Sequence, residues 1–137
     1  MIKGILFDKD GTLIDFYEVW GTAAEPVMDR LLSDCPMENR DLCKKELLER
    51  LGISESGIDP EGAFAWMTYR EISEIIWKFM KEKHMEPVPE KALLLSRVEK
   101  EFYKEVVEKR TDYPVFTDVK KLFQILTEQY HLFVGLA

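Results

Sequence analysis

The stretch Ile5–Phe16, ILFDKDGTLIDF, decides how the rest of the chain is read. A short apolar segment, Ile2–Phe7, stops abruptly at acid, and two aspartates, Asp8 and Asp10, follow with Gly11 as the natural pivot of a turn. The segment is apolar nearly throughout rather than alternating, which predicts a buried strand of a parallel sheet. A second such segment, Leu132–Ala137, predicts the neighbouring strand, with the short amphipathic helix before it packed on the sheet.

Between these strands the spacing is helical. Phe16, Trp20, Ala23, Val27 and Leu31 fall on one face, with Pro26 predicting a kink or restart. Asn39 is placed to cap a second helix carrying Cys43, Leu47 and Leu51, with Gly52 as its stop. GISESGIDPEG reads as a loop. A third helix carries Tyr69, Ile72, Ile76 and Phe79, and a fourth carries Leu95, Val98, Phe102 and Val106, with the prolines of HMEPVPE between them. Thr117 is the expected cap of the last helix, with Asp118 favouring its positive end. The expected class is therefore α/β, mostly α by content: a parallel-sheet core over 1–15 and 111–137, interrupted by a helical block over 16–110.

Composition narrows the function. The chain has 137 residues, 46% of them hydrophobic and 33% charged, which is the balance of a folded domain. A net charge of −7, with basic residues interleaved among acids as in EKEFYKEVVEKR, argues against nucleic acid as a partner. No stretch reaches the roughly 20 apolar residues of a membrane span, and the N-terminus lacks a signal-peptide pattern, so the expected location is the cytoplasm. Cys35 and Cys43 form no CxxC, and two free thiols are expected.

Chemistry concentrates at the turn. Asp8 and Asp10 lie just past the carboxyl end of a parallel strand, where open α/β sheets bind ligands. Alternate residues of an extended chain share a face, so the two carboxylates can converge while Lys9 points away. Their mutual repulsion is relieved by a cation, and Mg²⁺ suits oxygen ligands and phosphate. One carboxylate can then attack phosphorus while the other protonates the leaving oxygen and activates water. Gly11 lets backbone amides approach a phosphate, and Thr12 can fix the turn. A plain Asp-Gly turn is the simpler reading. A calcium loop is a poor fit, because Leu13 stands where that pattern wants Gly and Val19 where it wants Glu.

FDKDGTLID resembles the first motif of the haloacid dehalogenase-like (HAD) hydrolase superfamily, Asp-x-Asp-Gly-Thr/Val after a hydrophobic strand. It is similar in particular to the phosphoglycolate phosphatase-like branch, in which a helical cap is inserted soon after the motif. The resemblance covers the layout of the whole chain, though only about eight residues match a sharp motif. It implies a Rossmannoid core, here incomplete with two parallel strands, and a cap over 16–110. It implies Asp8 as nucleophile and Mg²⁺ ligand, Asp10 as general acid/base and second Mg²⁺ ligand through its carbonyl, and Gly11 and Thr12 at the phosphate. Family dehalogenases lack the second acid, so Asp10 favours phosphoryl chemistry. Many relatives carry a Ser after the acid at position 15, where this chain has Phe16.

The implied activity is Mg²⁺-dependent hydrolysis of a small phosphomonoester such as phosphoglycolate through an aspartyl-phosphate, with a phosphosugar phosphatase or mutase as the alternative parent. The family's second motif follows a strand like HLFVGLA directly, and its Lys and further acids come later still. On that expectation the chain is an N-terminal portion, impaired in catalysis. A non-enzymatic alternative is a helical module that self-associates through an exposed core edge. Trp66, Tyr69, Trp77, Phe79 and Tyr103 are expected in the core of the helical block rather than in a pocket, and Arg70 in a surface salt bridge. The isolated His84 and His131 carry no expected role.

Overall fold

A computed structural model describes residues 2–33 and 39–137. Cys35, one of the two expected thiols, lies outside them, whereas Cys43 is a buried free thiol. The protein is mixed α/β and mostly helical, and it divides into two compact units, Met1–Val19 with Asp112–Ala137, and Trp20–Thr111.

In the first unit, β1 (Gly4–Phe7) pairs in parallel with a later strand, Phe133–Leu136, in the register Gly4 to Phe133 and Phe7 to Leu136. The ladder extends through the Phe133 N–H to the Lys3 carbonyl at 3.0 Å and the Ala137 N–H to the Phe7 carbonyl at 2.8 Å. The strands are adjacent and parallel as predicted, but they are not buried. Leu6 is 68% and Phe133 82% exposed. Ile5 and Phe7 share the other face, where the Phe7 ring meets Phe123 at 5.5 Å. Two strands and one short helix offer cover for one face only, so an apolar run here does not mean burial on both.

The second unit is built from α1 (Thr22–Leu31), α2 (Arg40–Arg50), a hairpin of β2 (Ile53–Ser54) and β3 (Gly57–Ile58), the single turn α3 (Ala63–Trp66), α4 (Tyr69–Glu82) and α5 (Lys91–Tyr103). Helix α5 packs along α4 and α1, and α1 along α2. Their shared core holds Val27, Met28, Leu47, Ile76, Phe79, Leu94, Val98 and Phe102, all essentially without exposure. The α5 stripe begins at Leu94, not Leu95: steps of four run cleanly from 94 through 98, 102 and 106.

Pro26 does not break α1. It withdraws the donor that would bond the Thr22 carbonyl, and the irregularity lies one turn upstream, in the π-helical turn Tyr17–Gly21. A second π turn, Lys104–Glu108, continues α5. Asn39 stands at the N-cap position of α2 but its side chain makes no cap bond. The cap the periodicity did not reveal is at α4, where Thr68 accepts from the Glu71 N–H and the Glu71 carboxylate accepts from the Thr68 N–H, a reciprocal capping box.

The expected loop 52–62 is ordered by two glycines. Gly52 has φ +83° and its Cα faces that of Gly62 so closely that a β-carbon on it would sit 2.8 Å away. Of the five aromatics expected in the helical core, Phe79 is fully buried, while Trp66 is 79% and Tyr103 56% exposed. Trp66 donates its indole N–H to the Pro60 carbonyl, which holds the ring on the surface. Trp77 is half-buried, with Lys81 and Lys91 each about 5 Å from its ring.

The first unit closes with α6 (Val119–Gln124), a π turn Ile125–Gln129, and β4, the strand Phe133–Leu136 already described. Asp118, not Thr117, takes the N-cap position of α6, in the left-handed region at φ +69° and without a side-chain cap bond. His84 and His131 also have positive φ, so both serve as turn residues after helices.

Candidate functional site

The turn after β1 is organised by one carbonyl. Lys9 C=O accepts from the N–H groups of Thr12, Leu13 and Ile14 at 3.4, 3.0 and 3.1 Å, while the Gly11 N–H donates to Ile14 C=O at 2.9 Å. Folding these residues around one acceptor requires a left-handed step, which Gly11 supplies at φ +78°. No atom lies within 4 Å of where its β-carbon would be, so conformation, not space, asks for glycine.

A second strand-like contact props the turn from the far side of the sequence. The Phe116 N–H donates to the Leu13 carbonyl at 3.0 Å and the Asp15 N–H to the Pro114 carbonyl at 2.9 Å, with an antiparallel bridge between Ile14 and Val115. Leu13 is buried, and it anchors the loop while the residues before it stay in solvent. The alternation in TLIDF and the YPVF segment are the sequence signals for this ladder, and both are too short to be read alone.

On this frame the predicted residues take defined partners. Asp8 is exposed, and its Oδ2 accepts from the Thr12 hydroxyl at 2.8 Å. Asp10 is exposed, and its Oδ1 accepts from the Lys9 ammonium at 2.7 Å. Lys9 therefore does not point away from the acids; its long side chain folds back to the nearest carboxylate. The third acid of the stretch, Asp15, serves the backbone instead. Its Oδ1 accepts from the Glu18 N–H at 3.1 Å, capping the helical turn that follows.

The chemistry of the donors is that of hard oxygen: two carboxylates and the carbonyl of Asp10. This fits Mg²⁺, which takes oxygen ligands and retains several waters. Among the described residues, no group of three or more His, Cys, Asp or Glu is arranged to hold a metal ion, so any cation at this turn would need most of its ligands from elsewhere. Also among the described residues, no helix is long and apolar enough to cross a membrane.

No family model and no curated protein matches the chain.

Proposed function

We propose that the chain carries the nucleophile segment of a HAD-like, Mg²⁺-dependent phosphatase acting on a small phosphomonoester such as phosphoglycolate. The observation that supports it most is the seating of Asp8. It stands at the carboxyl end of a parallel strand, with Oδ2 held by Thr12 and Oδ1 left for chemistry. On this reading Asp8 Oδ1 attacks phosphorus, the ester P–O bond breaks, and Asp10 gives its proton to the departing alkoxide. A water then attacks the aspartyl-phosphate, Asp10 takes its proton, and inorganic phosphate leaves with Asp8 restored. Bound Mg²⁺ supplies charge neutralisation at the phosphoryl oxygens. The Rossmannoid core, the role of the helical unit as a cap and a cytoplasmic location belong to the same proposal. So does a phosphosugar phosphatase or mutase as the alternative parent. With the Asp8 carboxylate and the Asp10 carbonyl as the protein's share of ligands, Mg²⁺ binding would be weak and turnover slow.

The test is hydrolysis of p-nitrophenyl phosphate, phosphoglycolate and sugar phosphates with and without Mg²⁺, beside acid-quenched peptide mass mapping. We expect slow Mg²⁺-dependent turnover, a phosphoryl adduct on the peptide containing Asp8, and loss of both in Asp8→Asn. Turnover unchanged by that substitution rejects the proposal.

A second reading is favoured by the sheet. The face carrying Leu6 and Phe133 is apolar and exposed, which suits association of copies of the chain without catalysis.

A further inference from the structure

The helical unit holds a cleft of about 490 Å³, within the size range of small-ligand sites. Its floor is Phe102, which is wholly buried. Tyr69 stacks on that floor with ring centroids 5.6 Å apart, and Trp20 leans on it at 6.4 Å. Tyr103 and Val107 complete the wall while remaining 56% and 47% exposed.

Two features distinguish this cleft from a gap in packing. First, two π turns feed it: Tyr17–Gly21 delivers Trp20, and Lys104–Glu108 delivers Val106 and Val107. Single π turns inside helices are frequent at functional sites, where they redirect side chains that regular winding would place elsewhere. Second, successive residues of α5 set opposite charges on its rim, Glu99 and Lys100, both solvent-exposed.

The chemistry of the lining selects a ligand class. Aromatic faces carry negative quadrupole potential and attract alkylammonium groups. Glu99 adds a full negative charge to the same cleft. Burial, and then the charge of Glu99, push the Tyr69 phenol above its ordinary value, so the hydroxyl stays a neutral donor. Lys100 opposes a bare cation but favours one that brings its own anion. A purely apolar ligand would strip water from both rim charges and return nothing to them.

We propose that this cleft binds a small zwitterion, its alkylammonium group against Trp20, Tyr69 and Glu99 and its anionic group at Lys100. The site lies wholly within the helical unit and does not depend on the phosphatase reading.

The test is an NMR titration of the ¹⁵N-labelled full chain, following the three tryptophan indole signals, with that of Trp20 assigned by Trp20→Phe. The probes are glycine betaine, tetramethylammonium, which lacks the anion, and 3,3-dimethylbutanoate, which has carbon in place of the charged nitrogen. Betaine is expected to shift the Trp20 signal saturably in the millimolar range, leaving those of Trp66 and Trp77 in place. The two partial mimics bind roughly fivefold more weakly, as cation–π attraction and one rim charge allow. Glu99→Gln weakens betaine but does not weaken 3,3-dimethylbutanoate, and Lys100→Met brings betaine down to tetramethylammonium. Both are exposed positions, so the fold is kept. Absence of a Trp20 shift, equal movement of all three indoles, or equal binding of betaine and 3,3-dimethylbutanoate overturns the proposal.

Discussion

Single residues carry the two sharpest constraints in this molecule. Thr12 fixes the orientation of Asp8 through one hydrogen bond of 2.8 Å. On the proposed chemistry, Thr12→Val lowers kcat roughly tenfold, in keeping with the ~1.5 kcal/mol at the low end for a hydrogen bond to a charged group. Thr12→Ser retains the donor and most of the rate; steady-state kinetics of the two variants checks this. Gly52 is constrained twice, by a φ of +83° and by the backbone of Gly62 standing where a β-carbon would go. Neither backbone can yield without moving the hairpin, so Gly52→Ala destabilises the helical unit by about 1–3 kcal/mol, read as a lower urea midpoint. Gly11 as the pivot of the turn was legible in the sequence. The folding back of Lys9 onto Asp10 was not, because period-2 reasoning describes an extended chain and ignores the reach of a four-carbon side chain.

At the scale of elements, periodicity located the long helices and Gly52, at φ +83°, marked the end of α2, but what begins the helices was missed. Steps of three and four found α4 from Tyr69, Ile72, Ile76 and Phe79, yet its entry is set by the Thr68–Glu71 box, which carries no apolar signal at either capping position. Thr68→Ala removes a side-chain acceptor from the first turn and lowers stability by about 1 kcal/mol. The box also makes a pH prediction. The Thr68 N–H, then its hydroxyl, hold the Glu71 carboxyl below its usual value of 4.5. A carboxyl whose pKa is lowered by folding stabilises above the unfolded value and loses that contribution as pH falls through the folded one. Helix α4 therefore loosens at its N-terminus as pH drops below about 4.5, and Glu71→Gln flattens this dependence. Amide exchange at residues 69–72 across a pH range of about 3–6 measures it. At α2 and α6 the same rules named Asn39 and Thr117, and neither side chain caps. Cap rules weigh residue type alone, whereas the bond needs the backbone geometry that the neighbouring turn imposes.

For the whole molecule, the class was readable and the degree of burial was not. Hydrophobic runs at both ends of the sequence marked the parallel pair correctly. Whether such a run is covered depends on how many elements surround it, and that is a property of the assembly rather than of the run. The exposed face of β1 and β4 gives the second reading its test. Sedimentation velocity is expected to show association rising with protein concentration, and the paired change Leu6→Ser with Phe133→Ser to abolish it. Both side chains are largely in water, so the double variant keeps the fold and isolates the surface effect.

The pairing of Gly4 with Phe133 has a consequence for how the protein is made. Synthesis is vectorial, so β1 leaves the ribosome long before the strand that completes its hydrogen bonds exists. The helical unit, Trp20–Thr111, precedes that strand in the chain and is synthesised first. Throughout that interval the first strand's donors and acceptors are met by water rather than by a partner strand. This is the window in which a nascent-chain chaperone has the most to gain by holding it.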